Sequence, residues 1–162
     1  MVTTLARARE IAASVPDPEL PALTIGELGM VREVSETGDG IEVAITPTYS
    51  GCPAMGVIGL AIEAALLEAG YRHVAVRIVR EPAWTTDWID AAAREKLREA
   101  GIAPPSPRVA LHEGRRFTAP VLACPRCAST ETEEIAPFGA TACKSLWRCR
   151  ACREPFEHFK CH

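Results

Sequence analysis

The order of hydrophobic and polar residues predicts a helix and then a β-hairpin at the start of the chain. The helix is expected over residues 4–14, and a proline-rich turn follows it. Two strands are expected over residues 30–35 and 41–46, on either side of the turn sequence Thr-Gly-Asp-Gly. Apolar and polar residues alternate in the second strand, which is typical of a strand with one buried face.

A second helix, a third strand and a last helix are predicted next. Residues 53–69 are almost entirely apolar, and Gly70 ends this helix, which we expect to be buried on most sides. Residues 74–79 alternate again. Because a helix connects them to the second strand, the two strands should be parallel. The last helix is expected over residues 86–100, with its apolar residues on one face.

These elements predict the fold class and the division of the chain. They make a small α+β domain, with one mixed sheet and helices packed against it. Three prolines between residues 104 and 107 prevent a helix and favour an extended linker. We expect an α+β domain over residues 1–103, a proline-rich linker over residues 104–119 and a cysteine-rich module over residues 120–162.

Charge and composition narrow the possible partners. The 162 residues include 18 basic and 21 acidic side chains, for a net charge of −3. This balance argues against bulk electrostatic binding to nucleic acid or to an anionic membrane. The longest apolar segment is too short to span a membrane. Nothing at the start of the chain resembles a secretion signal, so we expect a cytoplasmic protein with reduced thiols.

Two C-x-x-C pairs are the strongest chemical signal. Cys124 and Cys127 form the first pair, and Cys149 and Cys152 form the second. Two such turns at this separation can present four thiolates to one tetrahedral zinc ion. The residues between them have the pattern of short strands, so a zinc β-ribbon is predicted, with the metal supplying folding energy to a small core. A rubredoxin-like iron site and a redox-active cysteine pair are the alternatives.

Cys143 and Cys161 are extra thiols in the same module. Extended strands would place Cys143 about 20 Å from the zinc, and Cys161 farther. Together with His158 and His162 they form a candidate second thiol or metal site. The spacing favours the alternative of two reduced, partly buried thiols beside two surface histidines.

Cys52 lies in the loop between the second strand and the second helix. Pro53 fits the first helical position, so Cys52 would lie near the helix cap, where free amide groups stabilise a thiolate. It is a candidate nucleophile or soft-metal ligand, or else a small buried residue at a tight junction. Asp17, Glu19 and Glu27 follow the first helix and are candidate metal ligands or acid–base groups, or turn formers and caps.

Three segments carry a resemblance to a known family, namely DPELPALTIGELGMV (17–31), TPTYSGCPA (46–54) and EPAWTTDWI (81–89). Over residues 3–101 they resemble the iron–sulfur assembly domain of bacterial SufT-type proteins and eukaryotic cytosolic iron–sulfur targeting factors. With the cysteine-rich tail ending in CREPFEHFKCH, the chain resembles the PaaD family. Its members are the D subunits encoded with the multicomponent phenylacetyl-CoA epoxidase of aerobic phenylacetate degradation.

The resemblance implies an accessory role without catalytic residues. In that system a diiron oxygenase chain performs the epoxidation, and a reductase chain carries flavin and a [2Fe–2S] cluster. Cys52 corresponds to the reactive cysteine of the family, and Asp17 and Glu19 to its acidic turn. The implied function is delivery of an iron–sulfur cluster to a client, foremost the reductase, with iron or cluster held transiently at Cys52. A partner chain, a second copy in a homo-oligomer, or Cys143 and Cys161 would supply further thiolates.

Other classes of function fit the sequence less well. The main alternative is a structural or regulatory subunit that docks on the oxygenase–reductase assembly without handling clusters. The chain has neither the Glu-x-x-His ligands of a diiron bundle nor a dinucleotide fingerprint. A nucleic-acid ribbon is disfavoured by the six basic and five acidic residues from position 120 onward. A thiol redox enzyme is disfavoured by the ribbon spacing of the cysteine pairs.

Overall fold

The computed structural model describes residues 4–105 and 121–160. Its contacts divide the chain into two compact units, Met1–Ile89 and Asp90–His162. No helix among the described residues has the length and apolar character needed to cross a membrane.

The first unit is a small mixed sheet with two α-helices. Its elements are α1 (Thr4–Ala13), β1 (Val31–Thr37), β2 (Gly40–Ile45), α2 (Met55–Glu68), β3 (Val74–Ile78) and a short 3₁₀ helix (Thr86–Trp88). The strand order is β1-β2-β3, with β1 antiparallel and β3 parallel to β2. The predicted hairpin, the parallel crossover through α2 and the α+β class are therefore confirmed.

The proline-rich turn after α1 belongs to the core of the first unit. Its large apolar side chains are at most 2% exposed, namely Leu20, Leu23, Ile25, Leu28 and Met30. The backbone N–H of Gly26 donates to the carbonyl oxygen of Ala13 at 3.0 Å, which fixes the turn against the end of α1. The indole N–H of Trp84 donates to the carbonyl oxygen of Leu28 at 2.7 Å. The turn is thus held on both sides by hydrogen bonds.

Helix α2 is buried on one face only, so the expectation that it is buried on most sides is wrong. Ile58, Ile62 and Leu66 are at most 1% exposed and form the buried face of the helix. Val57 and Leu60, in contrast, are 58% and 68% exposed. Apart from Glu63 and Glu68 the helix is apolar on every side, and such a sequence does not reveal which face the fold covers.

The second unit is a four-stranded sheet preceded by a helix. Its elements are α3 (Ala91–Glu99), β4 (Ile102–Ala103), β5 (Thr132–Ala136), β6 (Lys144–Cys149) and β7 (Pro155–Phe159), in the strand order β4-β7-β6-β5. The β5–β6 hairpin agrees with the predicted ribbon. The short strand β4 pairs in parallel with β7. Because of this pairing, α3 and β4 group with the ribbon, whereas the sequence analysis assigns them to the first domain.

The last helix is shorter than the sequence predicts. The expected helix over residues 86–100 is divided into the 3₁₀ turn and α3. Asp90 has extended backbone angles, and its carboxylate accepts a hydrogen bond from the backbone N–H of Ala93 at 2.7 Å. This is the geometry of an N-cap, so a new helix begins after Asp90. The apolar residues Ala93 and Leu97 form the buried face of α3.

Buried polar pairs join β6 and β7. Lys144 is 5% exposed, and its ammonium group lies 2.7 Å from the carboxylate of Glu157. Burial alone would raise the pKa of Glu157, but the hydrogen bond from Lys144 lowers it below the ordinary value. A buried charge requires such a partner, because removal of either member would leave the other uncompensated.

His158 is buried, and the expectation that it lies on the surface is wrong. It is 5% exposed, and its Nδ1 lies 3.4 Å from the hydroxyl oxygen of Ser145, which also accepts a hydrogen bond from the indole N–H of Trp147. Burial, together with the positive charge of Lys160, lowers the pKa of His158 to about 4. His162 lies outside the described residues.

The buried imidazole gives the second unit a predictable pH dependence. As the pH falls below about 6.5, an unfolded histidine takes up a proton, whereas folded His158 stays neutral until about pH 4. The free energy of unfolding should therefore fall by about 2 kcal/mol between pH 7.5 and pH 5 because of this side chain. Chemical denaturation of wild type and His158→Asn at both pH values measures this contribution. Metal loss at low pH affects both proteins, so an equal pH dependence in the two would show that His158 does not contribute.

Candidate functional site

Four cysteines meet at the end of the ribbon. They are the residues predicted from the two C-x-x-C pairs, Cys124, Cys127, Cys149 and Cys152, and their sulfur atoms all lie within 4.8 Å of one another. The Sγ atoms of Cys124 and Cys152 are 3.8 Å apart, and those of Cys127 and Cys149 are 3.5 Å apart. Tight turns shape the site: the backbone N–H of Ala128 donates to the carbonyl oxygen of Cys124 at 2.9 Å.

The geometry of these thiols fits a tetrahedral metal ion. Metal–sulfur bonds of about 2.3 Å correspond to sulfur–sulfur distances of about 3.8 Å. Hydrogen bonds, the largest from the backbone N–H of Cys152, outweigh burial and lower the pKa of Cys149 to about 7. A hydrogen bond from the backbone of Glu154 alone would lower the pKa of Cys152. Burial and the neighbouring thiols outweigh it and raise this pKa to about 12. Four adjacent thiols cannot all ionise alone, so a divalent cation is the natural counterion of this donor set.

Arginines surround the ribbon end. Arg148 and Arg150 both bind the carboxylate of Glu133, and these hydrogen bonds lower the pKa of Glu133 below its ordinary value. The backbone N–H of Arg126 donates to the Sγ atom of Cys124 at 3.4 Å. The guanidinium groups of Arg148 and Arg150 are therefore paired with Glu133.

Cys143 stands apart from the four-cysteine group. It is 2% exposed, and its Sγ atom lies 3.0 Å from the hydroxyl oxygen of Thr141. Among the described residues, the four-cysteine cluster is the sole group of three or more metal-ligating side chains, and Cys143 is not in it. Cys161 lies outside the described residues, so a second thiol site formed by Cys143 and Cys161 stays a prediction.

The Cys52 loop differs from the expected helix cap. Helix α2 begins at Met55, with Ala54 at the capping position, and the backbone N–H of Cys52 donates to the carbonyl oxygen of Tyr49 at 3.2 Å. Burial raises the pKa of the half-buried Cys52 thiol above its ordinary value. Hydrogen bonds from the backbone of Ala54 and Met55 lower the pKa but do not reverse the shift. The net shift is thus opposite to the thiolate stabilisation expected from the sequence.

The acidic turn lies close enough to Cys52 to affect its ionisation. The negative charges of Glu19 and Asp17 contribute to the raised pKa of Cys52, after burial. Asp17 is 5% exposed, and its Oδ1 atom accepts hydrogen bonds from the backbone of Glu19 at 2.8 Å and of Leu20 at 2.7 Å. The fold therefore brings together three of the four candidate residues predicted in this unit, Cys52, Asp17 and Glu19.

Two further polar residues of this unit, Glu27 and Thr46, do not belong to the group of Cys52, Asp17 and Glu19. The carboxylate of Glu27 accepts a hydrogen bond from the backbone N–H of Thr24, and the hydroxyl of Thr24 accepts one from the backbone N–H of Glu27. Glu27 therefore caps a turn. Thr46 is not among the site residues predicted from the sequence. It is 1% exposed, and no described residue hydrogen-bonds its hydroxyl. Its sequence signal is a polar residue directly after the buried strand β2, six positions before Cys52.

Two family models match the chain, one within each of the two units. Residues 7–78 match the family model described as an iron–sulfur cluster assembly protein. Residues 110–160 match the model of the PaaD zinc beta ribbon domain. A crystal structure of a domain of unknown function, DUF59, from Bacillus anthracis aligns with a TM-score of 0.52 and 25% identity, covering 57% of this chain and 90% of that chain.

The two family models and the four-cysteine cluster together define a protein with an iron–sulfur assembly domain followed by a zinc ribbon. A protein of Escherichia coli K12 named as the D subunit of 1,2-phenylacetyl-CoA epoxidase is 50% identical over 151 residues, covering 93% of this chain and 89% of that protein. The chain belongs to the family of phenylacetyl-CoA epoxidase D subunits.

Proposed function

We propose that this protein is an accessory, non-catalytic subunit of the phenylacetyl-CoA epoxidase system and that it assists maturation of the iron–sulfur reductase component. The proposal places it in the cytoplasm with the other components. The observation that carries it is the grouping of Cys52 with Asp17 and Glu19 in the unit that matches an iron–sulfur assembly model. The name of the Escherichia coli relative supports the assignment to this system.

The raised pKa of Cys52 suits a transient ligand for iron. A thiol must lose its proton when it binds iron, and burial together with two carboxylates favours the protonated form. The proton therefore competes with the metal, and binding is reversible at neutral pH. The same two carboxylates favour an incoming cation electrostatically. Such a site can accept an iron–sulfur cluster as cargo and release it to a client with stronger ligands.

Further ligands must come from outside this site. Clusters of the [2Fe–2S] and [4Fe–4S] types are held by four protein ligands, mostly cysteine thiolates. Within the described part of the first unit, Cys52 is the one cysteine. We propose that the client or a second copy of the chain supplies the others during transfer. The zinc ribbon, held by its own four cysteines, then provides a folded surface for contact with the client.

Anaerobic reconstitution of the full chain tests whether Cys52 holds this cargo. Wild type, Cys52→Ser and the control Cys143→Ser are incubated with iron, sulfide and a small thiol that takes the place of the client's ligands, desalted, and analysed for metal and acid-labile sulfide. We expect one zinc per chain in all three, and bound iron and sulfide in wild type and Cys143→Ser alone. Equal iron and sulfide in Cys52→Ser would contradict the proposal.

The alternative function is a docking subunit that handles no cluster. The subunit name of the relative favours it directly. This alternative predicts stoichiometric co-purification with the oxygenase and reductase that is insensitive to Cys52→Ser, with zinc as the sole metal in every variant. The cluster-delivery proposal instead predicts that Cys52→Ser changes iron content while leaving the zinc unchanged.

A further inference from the structure

Helix α2 exposes a second apolar stripe opposite its buried face. Val57, Leu60 and Leu67 are 58%, 68% and 51% exposed, and the exposed Ala64 lies between the last two. We call these four residues the outer stripe of α2. At 100° per residue they centre on the side of the helix that lies opposite Ile58, Ile62 and Leu66.

The outer stripe has the spacing of a helix-packing seam. Its residues are separated by three, four and three positions, as are the a and d residues of a heptad repeat. Among the described residues, seven large hydrophobic side chains are exposed, and three of them belong to this one stripe. Apolar side chains clustered in this way mark an interaction surface.

Acidic residues flank the outer stripe on both sides. Glu63 lies about 80° from its centre on one side and Glu68 about 60° on the other. The sequence of α2, MGVIGLAIEAALLE, contains no basic residue. Two copies packed through this seam would bring acidic flanks together, and an anionic membrane would be repelled. The flanks are instead complementary to a partner with basic residues in the corresponding positions.

We propose that the outer stripe of α2 docks an amphipathic helix of a partner protein that carries Lys or Arg on both sides of its apolar seam. The apolar residues of the two helices interdigitate, and Glu63 and Glu68 pair with the flanking cations. The outer stripe shares no residue with the Cys52 loop. The inference goes beyond the proposed function and also holds for a docking subunit that handles no cluster.

Peptide binding to the full chain tests the apolar half of the proposal. The probe is a fluorescent synthetic helix of about four heptads, with leucine at a and d and lysine at e and g, and binding is followed by anisotropy. Leu60→Ser should weaken peptide binding about tenfold or more. The control is Phe138→Ser, because Phe138 is an apolar residue of the other unit that is 63% exposed, and this variant should bind the peptide as wild type does. Circular dichroism verifies that both variants are folded. Unchanged binding by Leu60→Ser overturns the proposal.

A charge reversal tests the polar half. The double variant Glu63→Lys, Glu68→Lys should prefer a second peptide with glutamate at e and g, whereas wild type prefers the lysine peptide. A matched control, Glu10→Lys with Glu81→Lys, has the same net charge and should keep the wild-type preference. The proposal fails if the control inverts equally. It also fails if sedimentation shows a wild-type dimer that Leu60→Ser converts to monomer, since the outer stripe would then bind a second copy. Binding of phosphatidylcholine vesicles by wild type and not by Leu60→Ser would contradict it too, since the stripe would then bind a membrane.

Discussion

Removal of the metal is expected to unfold the second unit while the first unit stays folded. The core cluster of the ribbon consists of six buried residues, Ala103, Leu122, Cys124, Trp147, Cys149 and Phe156. Two of these residues, Cys124 and Cys149, belong to the four-cysteine group, so the hydrophobic core includes part of the metal site. Structural zinc contributes about 10–16 kcal/mol in small zinc domains, which is as large as the whole stability of many proteins. Without it, so small a core cannot offset the loss of chain entropy.

Cysteine variants and chelation measure this dependence. Amide resonances of β5, β6 and β7 should collapse on treatment with a strong chelator, or in Cys149→Ser, while those of β1, β2 and β3 keep their dispersion. Cys143→Ser is the matched control, since Cys143 is equally buried in the same unit and lies outside the ligand group. A ribbon that keeps its resonances after verified zinc removal would show that the apolar core suffices.

Gly26→Ala is expected to destabilise the first unit by roughly 3 kcal/mol. A Cβ atom at this position would lie 2.6 Å from the Cβ of Ala13 and 2.7 Å from its carbonyl oxygen. That oxygen accepts the hydrogen bond of Gly26, so separation of the two segments would also break the contact that fixes the turn. The turn carries Asp17, and its displacement would disturb the Cys52 site as well.

Gly56→Ala provides the contrast within the same unit. Gly56 lies in α2, and a Cβ atom there would meet nothing within 4 Å. Alanine should therefore stabilise the helix by about 0.5–1 kcal/mol. Urea denaturation of the two variants followed by circular dichroism gives both values. Loss of stability in both, or in neither, would contradict the packing described for the proline-rich turn.

Local patterns were sufficient for much of the fold and for the four-cysteine group. Consecutive residues of a strand face opposite sides of the sheet, so a strand with one buried face alternates apolar and polar residues. This alternation is visible in the sequences of β2 and β3. The zinc ligands are detectable because two tight turns with fixed cysteine spacing are needed to surround one ion. Neither inference requires knowledge of the tertiary structure.

The remaining features depend on tertiary packing. The apolar sequence of α2 is compatible with complete burial, and only the folded unit shows that Leu60 is uncovered. Pro53 fits a helix start by a local rule, yet the loop continues for two more residues. The two-residue strand β4 has no detectable pattern, and its pairing with β7 determines where α3 belongs. His158 is buried through contacts with Ser145 and Trp147, which alternation along β7 alone does not specify.

Transfer of a cluster to the reductase tests the central claim most directly. The full chain, reconstituted without oxygen, is mixed with metal-free reductase of phenylacetyl-CoA epoxidase in the presence of a chelator that captures free iron. Appearance of the [2Fe–2S] absorption in the reductase is followed over time. The account predicts transfer from wild type and Cys143→Ser, and at least a tenfold loss with Cys52→Ser. Equal transfer by Cys52→Ser, or none from loaded wild type, would contradict it.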